Sequence, residues 1–159
     1  MSKYLLKLLF FISFLWMNNA IAATNKSVAM GYDNLTIQIG NLSLASSLPR
    51  HDFAYSMTIP SGEIFPGSTN QGALYYGGGS DISTVFSRYD ESNIEVDLKI
   101  TDPAIGGTLI WQGKITYDKG FNKVVVVRES PDNFHYIVHI NTIQPDQGRP
   151  QFIIGVICN

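Results

Sequence analysis

The clearest pattern in the chain lies between Asn93 and Thr101, where Ile94, Val96, Leu98 and Ile100 alternate with Glu95, Asp97, Lys99 and Thr101. Successive side chains of a strand point to opposite faces, so four such repeats predict a half-buried strand with one wet face. Asp102-Pro103-Ala104-Ile105-Gly106-Gly107 then supplies turn chemistry, and a hairpin follows. The return strand, Thr108 to Tyr117, carries Leu109, Trp111, Ile115 and Tyr117 on one face and Gln112, Lys114 and Thr116 on the other. Trp111 is thereby a core residue. After Asp118-Lys119-Gly120, the β-branched run Val124 to Val127 would crowd a helix and suits a strand covered on both sides. Glu129 to Asn133 reads as the next turn and Phe134 to Thr142 as the next strand.

The first half keeps the β pattern with less regularity. Leu35, Ile37 and Ile39 sit at odd positions while Leu42 and Leu44 sit at even ones, so a bulge or a switch between sheets is expected around Gly40-Asn41. Phe53, Tyr55, Met57 and Ile59 alternate again and stop at Pro60. Ser61 to Ser80, with Pro66 and Gly77-Gly78-Gly79, is the longest loop-like stretch, and Ile64, Phe65, Leu74, Tyr75 and Tyr76 within it predict partial packing. Ile82 to Tyr89 fits a further strand. Gln151 to Cys158 is apolar at both odd and even positions, which predicts strand neighbours on both sides.

About eight strands at this spacing, with no amphipathic helix, define an all-β fold. The expected architecture is an antiparallel β-sandwich, immunoglobulin-like or jelly-roll-like, with a small closed β-barrel as the alternative.

Residues 1–22 have a different grammar. Lys3 and Lys7 precede an apolar run from Leu8 to Met17, and Asn18-Asn19-Ala20-Ile21-Ala22 closes it with a small-x-small exit. That is the form of a cleaved signal peptide; the run is about half the roughly 20 residues a bilayer span needs. Of 159 residues, removing 22 leaves about 137, one domain over 23–159. No transmembrane helix is expected after processing. Periplasm or extracellular medium is the expected location, with outer-membrane association also compatible.

Composition narrows the functional classes. Without Lys3 and Lys7, nine Lys and Arg face thirteen Asp and Glu, a balance of −4, which argues against a nucleic-acid partner. The single cysteine, Cys158, excludes an internal disulfide framework and any multi-cysteine zinc site. It is either a buried small apolar residue or the thiol of an intermolecular disulfide.

Candidate chemistry is sparse. On one strand His135 and His139 stand roughly 13 Å apart, too far to share a metal. His51, beside Arg50 and Asp52, reads as an exposed loop residue. Glu95 and Asp97 share a wet face with Lys99, which points to a solvated, self-compensated surface more than to calcium binding or carboxylate catalysis. Gly77-Gly78-Gly79-Ser80 lacks the lysine of a phosphate-binding loop. Asn25, Asn34 and Asn41 begin N-glycosylation triplets, which matter only in a host that secretes through an endoplasmic reticulum.

No motif of an enzyme class stands out, and no cofactor or metal is called for. The sequence is read as a non-enzymatic exported protein that binds or assembles at the cell envelope, with an envelope protein or a glycan as partner. Tyr75 and Tyr76 are the expected binding residues, since their rings can stack on either. An outer-membrane β-barrel and a hydrolase with a site assembled from loops, using Glu95, Asp97 and the histidines, are the alternatives.

Overall fold

The alternation along the chain resolves into ten strands in the computed structural model, which describes residues 32–43, 50–88 and 93–158. They are β1 (Tyr32–Asn41), β2 (Phe53–Ser61), β3 (Glu63–Ile64), β4 (Gln71–Leu74), β5 (Ser80–Arg88), β6 (Ile94–Asp102), β7 (Thr108–Asp118), β8 (Lys123–Arg128), β9 (Tyr136–Ile143) and β10 (Gln151–Cys158). The proposed signal peptide and Asn25 lie outside the described residues, as does Leu44.

Two five-stranded sheets form, in the orders β3-β5-β1-β10-β9 and β4-β2-β6-β7-β8. Neither closes on itself, which corrects the alternative of a small closed barrel; the arrangement is consistent with a β-sandwich. All pairings are antiparallel except β1 with β10, where Ile37 stands beside Phe152 and Ile39 beside Ile154. One core fills the space between the sheets. Leu35, Ile37, Ile39, Phe152, Ile154 and Val156 face Phe53, Met57, Val96, Leu98, Ile100 and Trp111 across it.

The strand count exceeds the expected eight because the Ser61 to Ser80 stretch contains β3 and β4, short edge strands that bury Leu74 completely. The phase change after Gly40 marks the end of β1, and the next described strand, beginning at Phe53, lies in the other sheet. Leu42 folds over Gly155, where any Cβ would stand 2.3 Å from the leucine side chain. As expected, β10 is flanked on both sides, by β1 and β9.

Two expectations are corrected in the second half. A register shift between Ile100 and Thr101 sets Thr101 opposite Leu109 but Ile100 opposite Trp111, so Ile110 is an additional residue and is fully buried, while Leu109 is half-buried. Gly113 leaves the space that the Trp111 ring occupies, 2.7 Å from where a Cβ would sit. The valine run is not covered on both sides: β8 is an edge strand, with Val125 and Val127 exposed on the outer face. Its alternation is real but hidden, because valine occupies wet and dry positions alike.

Candidate functional site

The registers gather one set of strand ends at the same pole of the two sheets. Asn41 pairs with Val156, Phe53 with Leu74, Asp102 with Thr108 and Cys158 with Tyr136. The chain before Phe53, the Tyr75 to Gly79 turn, the Pro103–Ile105 turn and the loop before Tyr136 therefore all emerge there.

A buried carboxylate ties these segments together. Asp102 continues the core phase of β6 and is 0% exposed. Its Oδ2 lies 2.5 Å from His51 Nδ1 and accepts the Tyr136 hydroxyl at 2.8 Å, and its Oδ1 accepts the Ala104 amide at 2.9 Å. The Asp102 carbonyl accepts from Gly107 at 3.0 Å and closes the hairpin turn. A buried polar side chain is stable where hydrogen-bond partners surround it, and His51, Tyr136 and Ala104 converge here on one carboxyl group. Burial, reinforced by the neighbouring Asp102 carboxylate, pushes the Tyr136 hydroxyl well above the ordinary tyrosine range, so it stays a donor.

Asn41 provides a second tie and is also completely buried. Its Nδ2 donates to the carbonyls of His51 at 2.9 Å and Leu74 at 3.1 Å, and its backbone amide donates to Gly79 O at 2.8 Å. Its Oδ1 accepts from the Ser43 amide, and Ser43 Oγ in turn accepts from the Cys158 amide. An asparagine so occupied cannot carry a glycan in the folded chain. Cys158 belongs to the core cluster and is 6% exposed, so a bridge to another chain would require this end of β10 to open.

On this framework three apolar side chains project from three different loops. Tyr75 is 67% exposed, Ile105 49% and Phe134 90%. The Tyr75 turn is closed by Gly79 N–H donating to Tyr75 O at 2.9 Å, and a Cβ at Gly79 would stand 2.4 Å from the Tyr75 amide nitrogen, so glycine is required. Tyr76 is held less openly: its amide donates to Asp52 Oδ1 at 2.7 Å and the Arg50 guanidinium lies 5.6 Å from its ring centre. Beside Phe134 a groove of about 310 Å³ is lined by Leu109, Pro131, Asp132, Asn133 and His135.

The remaining candidates do not converge. His135 lies in the turn before β9 rather than in the strand, and His139 is exposed on β9. Glu95 and Asp97 face outward from β6, with Lys114 3.8 Å from Glu95 and opposite Asp97 in register. Glu95 is compensated there by Lys114, whereas Asp97 Oδ1 is buried with no hydrogen-bond partner among the described residues; a shallow groove of about 350 Å³ runs over this face between Ser56 and Glu129. Among the described residues, no three His, Cys, Asp or Glu side chains are grouped to hold a metal ion.

His51 corrects the expectation of an exposed loop residue, with a side chain only 17% exposed. Sequence reasoning also missed Asp102, reading it as turn chemistry alone. Its signal was present: Asp102 follows Ile94, Val96, Leu98 and Ile100 in the same phase, so a carboxylate stands where the pattern demands a buried residue. A histidine oriented by a buried aspartate resembles the base and its orienting group in hydrolases. Among the described residues, however, no hydroxyl or thiol is hydrogen-bonded to His51. The chain matches no protein-family model, and no curated protein is significantly similar to it.

Proposed function

We propose that the protein is an exported β-sandwich, immunoglobulin-like or jelly-roll-like, that binds an envelope protein or a glycan through the loops at the Asp102 pole and performs no catalysis. The observation that carries this reading is the exposure of Tyr75, Ile105 and Phe134 on three separate loops whose bases are tied to Asp102, Asn41 and Asn133. Exposed apolar groups on pre-ordered loops bind with little ordering cost, the arrangement recognition surfaces favour. The groove beside Phe134 adds a concave element to the same pole.

The test uses the chain without residues 1–22, immobilised and challenged separately with soluble envelope proteins and with a glycan panel. Tyr75→Ala and Phe134→Ala are expected to lower retention of the bound class about tenfold or more, as truncating an aromatic anchor does, with unchanged melting temperature. Retention unaffected by both substitutions would refute the reading. Turnover of ester or glycosidic substrates that disappears in His51→Ala would instead establish the hydrolase alternative.

A further inference from the structure

The sheet orders leave four outer edges of very different length: β3 has two residues and β4 four, whereas β8 has six and β9 eight. Long unpaired edges are templates for another strand. On β8 the hydrogen-bonding phase is fixed by Gln144. Val124 N–H donates to Gln144 Oε1 at 2.8 Å and Val124 O accepts from Gln144 Nε2 at 3.2 Å, so Val124 directs its peptide groups away from β7. By strand alternation Val126 and Arg128 do the same. The Gln144 amide thus stands in for a neighbouring strand at Val124, and Val126 has no such substitute among the described residues.

The outward-facing side chains of this strand are Lys123, Val125, Val127 and, just past its end, Glu129, all exposed, with Glu129 Oε2 also accepting from Gln112 Nε2 at 3.2 Å. Read in reverse, cation, valine, valine, anion becomes anion, valine, valine, cation. The face is its own complement. With a second copy running antiparallel and Val126 opposite its own counterpart, Lys123 meets Glu129 of the second copy, and Val125 meets Val127. Each contact occurs twice. A one-residue slip would flip every side chain to the other face, and a two-residue slide in either direction sets Val125 against Glu129 or Lys123 against Val127, so charge and apolarity together select one alignment.

We infer that β8 is the seam of a homodimer, joining two copies of its sheet antiparallel about Val126 into one ten-stranded sheet. The Arg128 backbone of the second copy replaces Gln144 at Val124, exchanging one set of hydrogen bonds for another. Exposed Val125 and Val127 gain each other as cross-strand neighbours. Arg128 itself is directed elsewhere, its guanidinium held by Asp132 and by Pro131 O.

Sedimentation velocity on the chain without residues 1–22, over a concentration series at low salt, reads the association directly. A dimer is expected. Lys123→Glu alone and Glu129→Lys alone each place like charges together twice and are expected to weaken dimerisation about tenfold, while the double reversal restores it. Val126→Pro removes an outward N–H that β7 does not use and is expected to give a monomer; should it fail to fold, the charge reversals at exposed positions decide alone. A monomer at all concentrations, a dimer indifferent to the charge variants, or a loss that the double reversal does not restore would overturn the seam. So would a dimer abolished by Ile140→Pro on the β9 edge and not by Val126→Pro.

Discussion

Two tyrosine–aspartate bridges span the sheets, and they are built in mirror order. At the loop-bearing pole Asp102 comes from β6 and receives the hydroxyl of Tyr136 on the opposite sheet. On the side of the short edges Asp81 comes from β5 and receives the hydroxyl of Tyr55 on β2, with Thr69 Oγ1 donating to the same oxygen at 3.2 Å. Gly72 makes room for this second bridge, since a Cβ there would stand 2.8 Å from the Tyr55 ring. The chemistry is shared but the surroundings are not. Asp102 is wholly buried and collects donors from three segments, whereas Asp81 sits at the rim and its second oxygen accepts the amide of its neighbour Ile82. Burial therefore decides what each bridge contributes: the first fixes where loops stand, and the second closes a side of the molecule.

Breaking the first bridge has the largest expected effect. Asp102→Ala leaves the Tyr136 hydroxyl, His51 Nδ1 and the Ala104 amide without their partner, the first two on largely buried side chains. A loss of about 3 kcal/mol is expected, the range for stranding buried partners of a charge. Urea titration monitored by circular dichroism checks it. A loss below that of an ordinary surface substitution would show that water replaces the carboxylate, and that the pole is less rigid than its hydrogen bonds imply.

The same contrast explains which parts of the molecule were legible in advance. Period-two alternation located β2, β6 and β7, because each of these strands has one wet and one dry face. It failed on β8, where valine fills both faces, and it could not separate β3 and β4 from the glycine-rich chain around them. The two bridges were invisible for a different reason. Asp102 lies next to Pro103, so turn chemistry accounted for it locally, and its partners His51 and Tyr136 are 51 and 34 residues away. Asp81 is likewise in phase with buried Ser83, Val85 and Ser87. In both cases an acid in the core phase was the available clue, and only the fold supplies the tyrosine that satisfies it. Tyr75 and Tyr76 stand out together in the sequence for rings that can stack on a partner, yet only Tyr75 is widely exposed; Phe134 was misread as part of a strand.

Alkaline unfolding sharpens the comparison at intermediate size. Burial first, then the hydrogen bond to Asp81, push the Tyr55 hydroxyl from 10.0 up to about 12. A tyrosine whose folded value is raised holds its proton more tightly in the folded state. Its contribution is complete below pH 10 and is lost as pH rises from 10 to about 12. The rim position moderates the amount, and about 1 to 2 kcal/mol is expected to disappear across that window. Phenolate absorbance should show Tyr55 ionising late, within the window from pH 10 to about 12. The Tyr136 hydroxyl is raised further, so its share is lost only at still higher pH.

Tyr55→Phe gives the smallest effect and the cleanest separation of the two bridges. The ring stays, and with it the packing against Gly72, while Asp81 keeps Thr69 and the Ile82 amide. Removing one hydroxyl from a partly solvated acceptor is expected to cost about 1 kcal/mol at neutral pH. At pH 11 the variant has no phenol at this position left to ionise, so its stability should fall less steeply than that of the parent and the two curves should converge. If they stay parallel from pH 7 to pH 11, the alkaline loss originates elsewhere, and the rim bridge contributes packing rather than a proton-dependent tie. Convergence would show that the two bridges fail at separate points along the same titration, the rim before the pole.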